Sequence, residues 1–496
     1  MTGEQRIALT ALDAQGRRVS HFGACDLAKE LRRRAALAAE AAHAELTRTR
    51  GTVTEVVGLG VTVTGLHAAV GDAVTIVSGD GQRLAQVVAV HAEGVTVLPL
   101  GTTAGIAGGD AVEGSGDTLR IPAGPGLLGR IVDPLGRPLD GRGPIEDVEW
   151  VPLEASAPNP LHRRRVDRAL PTGVRVLDTL IPVGAGQRVG IMAGSGVGKS
   201  TLLGMAVRGT AAPVRVVALV GERGREVREF LEDTLDEEAR RHTVIVVATA
   251  DDPALLRLNA AFAATRVAEW FRDAGTDVLL VVDSITRTAM AQREVALAAG
   301  ELPATRGYPA SVFAMLPRLL ERSGPGADGS ITALYTVLVE GDDLQDPVGD
   351  TVRGILDGHV VLSRSLATAG HFPSVDVLES VSRVDRSILQ PWQLDLAQTA
   401  RRLLAALRDV RDLVEVGAYA AGSNADADTA LRLKPALDAF ARQRPDDVCD
   451  AGLSWRDLAA MLGRGIDAGF AQPGAQPGAQ PGNQQFTPAF AAAGAR

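Results

Sequence analysis

Residues 193–201 read AGSGVGKST, between the mostly apolar run 188–192 and the helix-like run 202–207. A strand that opens into a glycine-rich loop and continues as a helix is the context of a phosphate-binding P-loop. Gly194, Gly196 and Gly198 let the backbone curl so that successive N–H groups face inward. Those donors and the helix N-terminus form a pocket for phosphate oxygens. The whole loop is therefore assigned to nucleotide binding: Gly194, Ser195, Gly196, Val197, Gly198, Lys199, Ser200 and Thr201. Lys199 places a point charge between the β- and γ-phosphates of ATP, and the Ser200 hydroxyl is a ligand for Mg²⁺. Ala193 departs from the generic G-x-x-x-x-G-K-[ST] pattern, which has glycine first. A methyl group there is a small change provided that φ stays negative.

A bound Mg²⁺ also calls for a carboxylate. The apolar run 278–282 leads into Asp283, and ligands of open α/β sheets bind outside the carboxyl ends of the strands. Asp283 is the expected metal-side acid. Hydrolysis further needs a group that orients and deprotonates water. The run 214–220 ends in GERGRE, which puts Glu222 at a strand end like Asp283 and makes it the general-base candidate. Arg223 is expected to anchor Glu222 or to reach a neighbouring subunit.

Apolar runs at 188–192, 214–220, 243–249, 278–282, 332–339 and 359–362 alternate with helical stretches, the pattern of a parallel α/β sheet. Upstream, short β-rich runs at 52–57, 61–64, 73–77, 84–91 and 95–99 are separated by glycine and aspartate turns, which predicts a small antiparallel barrel or sandwich. Residues 127–145, rich in Gly and Pro, read as a structured connector. Helices are expected over 26–48, 394–414 and 426–462. The expected organisation is a docking segment at 1–50, a β-barrel at 51–117, the P-loop domain at 118–390, a helical domain at 391–470 and a tail at 471–496. The tail repeats PGAQ; it has too little apolar surface to order itself and is expected to be disordered.

The net charge of −9 argues against a dedicated nucleic-acid binder. Cys25 and Cys449, far apart, fit a reducing compartment. The first residues contain no apolar signal region, and no run of 18 apolar residues occurs, so a cytoplasmic protein with at most peripheral membrane association is expected.

Three strings, residues 221–233 (GERGREVREFLED), 283–324 and 339–364 (VEGDDLQDPVGDTVRGILDGHVVLSR), resemble the rotary-type ATPases. The likeness is greatest to the export ATPases of flagellar and type III secretion systems, and it spans about residues 51–462. It implies a RecA-like P-loop core between a β-barrel and a helical domain, in a homohexamer with ATP at the subunit interfaces. It identifies Glu222 with the catalytic glutamate and, in SVSRVD, Arg383 with the arginine that enters a neighbour's nucleotide site. Phe372 stands where relatives have a tyrosine that stacks on adenine, and Arg287 is a candidate γ-phosphate sensor. The resemblance also implies a stator-like regulator at the N-terminal helix, a central stalk protein at the helical domain, a membrane export gate and chaperone–substrate complexes. The GDDLQDP segment favours the flagellar branch over virulence secretion, and an ATP synthase catalytic subunit is the other alternative.

Overall fold

A computed structural model describes residues 49–339 and 346–464. The expected docking helix at 26–48 and the tail lie outside the described residues, as does most of the GDDLQDP segment.

The chain begins as a closed antiparallel barrel of β1 (Arg50–Val57), β2 (Gly60–Thr64), β3 (Asp72–Ser78), β4 (Gly81–His91), β5 (Gly94–Pro99) and β6 (Ala111–Thr118), in the order β1-β2-β5-β4-β3-β6. Closure leaves no free edge. Alternation along the strands points Val53, Val61, Val63, Val74, Ile76, Val87, Val97 and Val112 into one apolar interior. The sixth strand, AVEGSGDT, is glycine-rich and lacks apolar alternation, which is why the sequence alone did not reveal it. A short ribbon of β7 (Arg120–Ala123) and β9 (Glu149–Pro152) follows. Between its strands, the connector contributes β8 (Ile131–Val132) to the edge of the main sheet beside β12 (Thr243–Thr249).

That main sheet comprises β10 (Arg188–Ala193), β11 (Val214–Glu222), β12 (Thr243–Thr249), β13 (Asp277–Asp283), β15 (Ser330–Leu338), β16 (Gly358–Leu362) and β17 (Val375–Ser382), in the order β17-β16-β10-β15-β13-β11-β12-β8. The short β14 (Gly324–Pro325) hangs antiparallel on β15. The pairings from β16 through to β8 are parallel. The edge strand β17 runs antiparallel to β16, a departure from an all-parallel sheet. Central strands are buried on both faces, so they read as unbroken apolar runs; Val281 and Val282 are both fully buried. Each such side chain contributes roughly 1.5–3 kcal/mol of burial.

Helices cover the sheet: α1 (Arg175–Thr179), α2 (Lys199–Gly209), α3 (Gly224–Glu229), α4 (Glu237–Arg241), α5 (Ala254–Asp273), α6 (Ile285–Ala298), α7 (Ala310–Leu320), α8 (Pro347–Ile355), α9 (Arg364–Thr368) and α10 (Asp385–Ile388). Three further helices, α11 (Pro391–Glu415), α12 (Ala425–Ala441) and α13 (Ala451–Met461), form the helical domain. Pro391 at the first turn and a reciprocal Gln390–Gln393 capping box start α11. Trp455, Leu458 and Phe440 bury this domain against the P-loop side of the core.

Candidate active site

The functional side chains gather at the carboxyl ends of β10, β11, β13 and β15. Ala193 is still in β10, paired with Leu338, so the extra methyl sits on extended backbone. Gly196 and Gly198 have φ of 76° and 94°, a region in which a side chain is strained. Gly198 caps α2 in the left-handed conformation, which aims the helix N-terminus and its free N–H groups at the loop. Ser200 and Thr201 are exposed on the first turn. The loop is braced from behind: Ser374 Oγ donates to Val197 O at 2.5 Å, and Arg364 Nη1 donates to Ser195 O at 3.2 Å.

Lys199, at the start of α2, forms ion pairs with both strand-end acids. Its Nζ donates to Asp283 Oδ1 and lies 3.3 Å from Glu222 Oε1. The P-loop strand and the Asp283 strand are both neighbours of β15, and that intervening strand supplies Thr336, whose buried hydroxyl donates to Asp283 Oδ1 at 2.7 Å. Sequence reasoning missed Thr336; the available signal was a hydroxyl residue in the middle of the mostly apolar run 332–339.

Glu222 reaches the cleft because β11 bulges. Pairing with β12 runs Val220↔Ala248 and then Glu222↔Thr249, skipping Gly221. Gly221 has φ 66°. The extra residue re-aims the next side chain. Burial pushes the Glu222 pKa up, reinforced by its hydrogen bond with Glu226 and opposed by Lys199 and Arg287. The same hydrogen bond pulls the Glu226 pKa down.

Arg223 does not make the first of its two expected contacts, the one to Glu222. Arg223 lies largely exposed and pairs with Glu226 at 3.6 Å. It is Arg287, on α6, that holds Glu222, through Nε at 3.2 Å. A methyl group at Gly221 would lie 3.1 Å from Arg287 Cδ, so the bulge glycine also leaves room for this arginine. Phe372 is 40% exposed, and its ring faces the P-loop: a Cβ on Gly198 would stand 3.5 Å from it. Arg383 is not brought to this cleft. Because β17 is antiparallel, Ser382 pairs with Gly358 at the amino-terminal end of β16. Arg383 follows there, exposed, with its guanidinium donating to Arg353 O at 3.3 Å. The cleft and Arg383 lie at opposite ends of the sheet.

Comparison with known proteins extends the same picture. The model of the ATP synthase alpha/beta family nucleotide-binding domain matches residues 173–382, and that of the EscN-type type III secretion ATPase C-terminal domain matches residues 389–460. A flagellum-specific ATP synthase of Bacillus subtilis is 49% identical over 401 residues, 80% of this chain and 91% of that protein. A type 3 secretion system ATPase of Xanthomonas euvesicatoria is 48% identical over 403 residues, 81% of this chain and 91% of that protein. The solved structure of the assembled ATPase EscN, from the type III secretion system of enteropathogenic E. coli, superposes with a TM-score of 0.80 at 42% identity. That match covers 83% of this chain and 100% of that one. With a P-loop, two strand-end acids and matches along both the core and the helical domain, this chain belongs to the ATP synthase alpha/beta family, among its flagellar and type III secretion ATPases.

Proposed function

We propose that this ATPase drives protein export through a flagellar, type III-like apparatus, coupling Mg-ATP hydrolysis at the interfaces of a homohexamer to chaperone release and substrate entry. The observation that carries the chemistry is the convergence of Lys199, Glu222 and Asp283 in one cleft at the strand ends. A catalytic acid is present where a purely structural nucleotide binder needs none.

The division of labour follows from charge and position. An incoming triphosphate competes for Lys199, which leaves the two carboxylates for the phosphate tail and frees them for their own roles. Ser200 and Asp283 are hard oxygen donors of the kind that would hold Mg²⁺. When bound there, Mg²⁺ neutralises charge on the β- and γ-phosphate oxygens. Thr336 orients Asp283 and Arg287 orients Glu222. Glu222, with a pKa held above the ordinary glutamate value, accepts the proton of the attacking water. Phe372 offers its ring face to the adenine, and Arg383 completes the site of the adjoining subunit. An N-terminal stator-like regulator, a stalk protein at the helical domain and a membrane gate are the expected partners. The solved complex of EscN with its central stalk EscO, TM-score 0.78 and 41% identical to this chain, supports the stalk.

The deciding experiment measures phosphate release with Lys199→Ala and Glu222→Gln. Lys199→Ala is expected to abolish turnover. Glu222→Gln is expected to lower kcat by about 10²–10⁴, the usual worth of a positioned general base, while still binding nucleotide. Normal turnover in either variant contradicts the assignment. Loss of motility on deleting the gene, with virulence-type secretion intact, separates the flagellar role from its alternative.

A further inference from the structure

Beyond the reacting phosphates, the helical domain is hydrogen-bonded to the base side of the cleft through one buried residue. Gln443 lies one residue beyond the C-cap of α12 and is 7% exposed. Its backbone N–H donates to Phe372 O at 3.0 Å. Its side chain is fully engaged: Nε2 donates to Gly173 O at 2.8 Å and to Asp447 O at 2.9 Å, and Oε1 accepts from Arg175 N at 2.8 Å. The Gln443 amide therefore helps to fasten the end of α12 to the segment entering α1, alongside Arg175, whose Nη1 donates to Phe440 O at 3.1 Å, and its own backbone holds the carbonyl of the residue facing the P-loop glycine.

We infer that Gln443 is a positioning residue that sets the pose of Phe372, so that the helical domain governs affinity for the nucleotide base independently of the phosphate contacts. The inference rests on the reading that Phe372 faces the adenine. The physical argument is one of rigidity. Phe372 is 40% exposed, so packing alone does not hold its ring. A stacking surface is effective only when pre-oriented. The Gln443 N–H is held in register by three side-chain hydrogen bonds, the one to Gly173 O buried and the other two partly buried, and hence costly to leave unmade. A shift of α12 relative to the core moves the Phe372 carbonyl with it. Lys199 is held by Glu222 and Asp283, contacts in which α12 takes no part.

The test uses the full-length protein and compares Gln443→Ala, the volume-conserving Gln443→Met and Phe372→Ala. KM for ATP and the inhibition constant of Mg-tripolyphosphate, which has no base, are measured for each. Both Gln443 variants are expected to raise KM for ATP about five- to tenfold, the scale of one aromatic stacking contact. Their kcat should stay within about twofold of the parent and the tripolyphosphate constant should not move. In the Phe372→Ala background, Gln443→Ala should add almost nothing, because two residues acting through one contact are not additive. A KM raised in Phe372→Ala but unchanged in both Gln443 variants overturns the inference and leaves the base reading standing. An unchanged KM in Phe372→Ala overturns both. A tripolyphosphate constant that rises together with KM also overturns it, since the whole cleft has then loosened.

Discussion

At the scale of single residues, the site is organised by competition for charge. Lys199 stands against two carboxylates that nearly exclude water, and each carboxylate has a second partner: Thr336 for Asp283, Arg287 for Glu222. Such pairs stay intact until a more highly charged anion competes with the carboxylates for the lysine. Glu222 has a further neighbour in Glu226, and the sign of its effect can be tested. Glu222 acts as a base only when ionised. Burial and the Glu226 hydrogen bond raise its pKa, so activity is lost as pH falls through a value above the ordinary glutamate range of about 4.3. Glu226→Gln removes one of the two causes. The acid limb of kcat/KM, which reports the free enzyme, should therefore move to lower pH than in the parent measured with the same substrate. A limb that does not move, or that moves upward, rules out Glu226 as the cause.

At the scale of elements, the position of Glu222, the proposed base, depends on a single extra residue in β11. Without the bulge at Gly221, strict alternation would turn the side chain at 222 to the other face of the sheet. Gly221→Ala strains a backbone at φ 66° and presses a methyl toward Arg287. The expected outcome is a fall in kcat of at least about tenfold, from a misplaced base. Melting should be lowered by only about 1–2 kcal/mol, as for alanine at a positive-φ site. Activity at parental level in a folded Gly221→Ala protein argues against the bulge as the device that aims Glu222. This element also shows what a sequence can reveal. The P-loop and Asp283 were legible because each pairs an apolar strand with a change of residue type at its end. The bulge was not, since Gly221 reads as an ordinary strand terminus. The role of Arg287 toward Glu222 needed the spatial adjacency of β11 and α6. The strand β6 lacked any apolar period, and β17 was hidden because its residues alternate only in part. The Thr336 hydroxyl was lost inside an apolar run, and the Gln443 contact spans a sequence separation that no local pattern encodes.

At the scale of the whole molecule, the nucleotide cleft and Arg383 face away from each other. The P-loop, Glu222 and Asp283 open at the carboxyl ends of the parallel strands, whereas Arg383 emerges where β17 returns to their amino-terminal ends. No rotamer change carries an arginine across a sheet. If Arg383 serves catalysis, it serves a neighbour, in a head-to-tail arrangement that closes into a ring. Arg383→Ala is then expected to lower kcat sharply, within the 10³–10⁵ range of trans-acting arginines, while the altered ring still binds ATP. The sharper prediction concerns mixtures. Lys199→Ala subunits keep Arg383 but have a dead pocket, and Arg383→Ala subunits keep the pocket but lack the arginine. Each protein alone should be nearly inactive. Mixed before assembly in equal amounts, they form some interfaces in which an intact pocket meets an intact arginine, about one in four if association is random. Turnover well above that of either pure variant, appearing only after co-assembly, is the expected result. A mixture no more active than its components, under conditions where rings exchange subunits, shows that Arg383 completes no neighbour's site, and the opposite placement of the two groups on the sheet then needs another explanation.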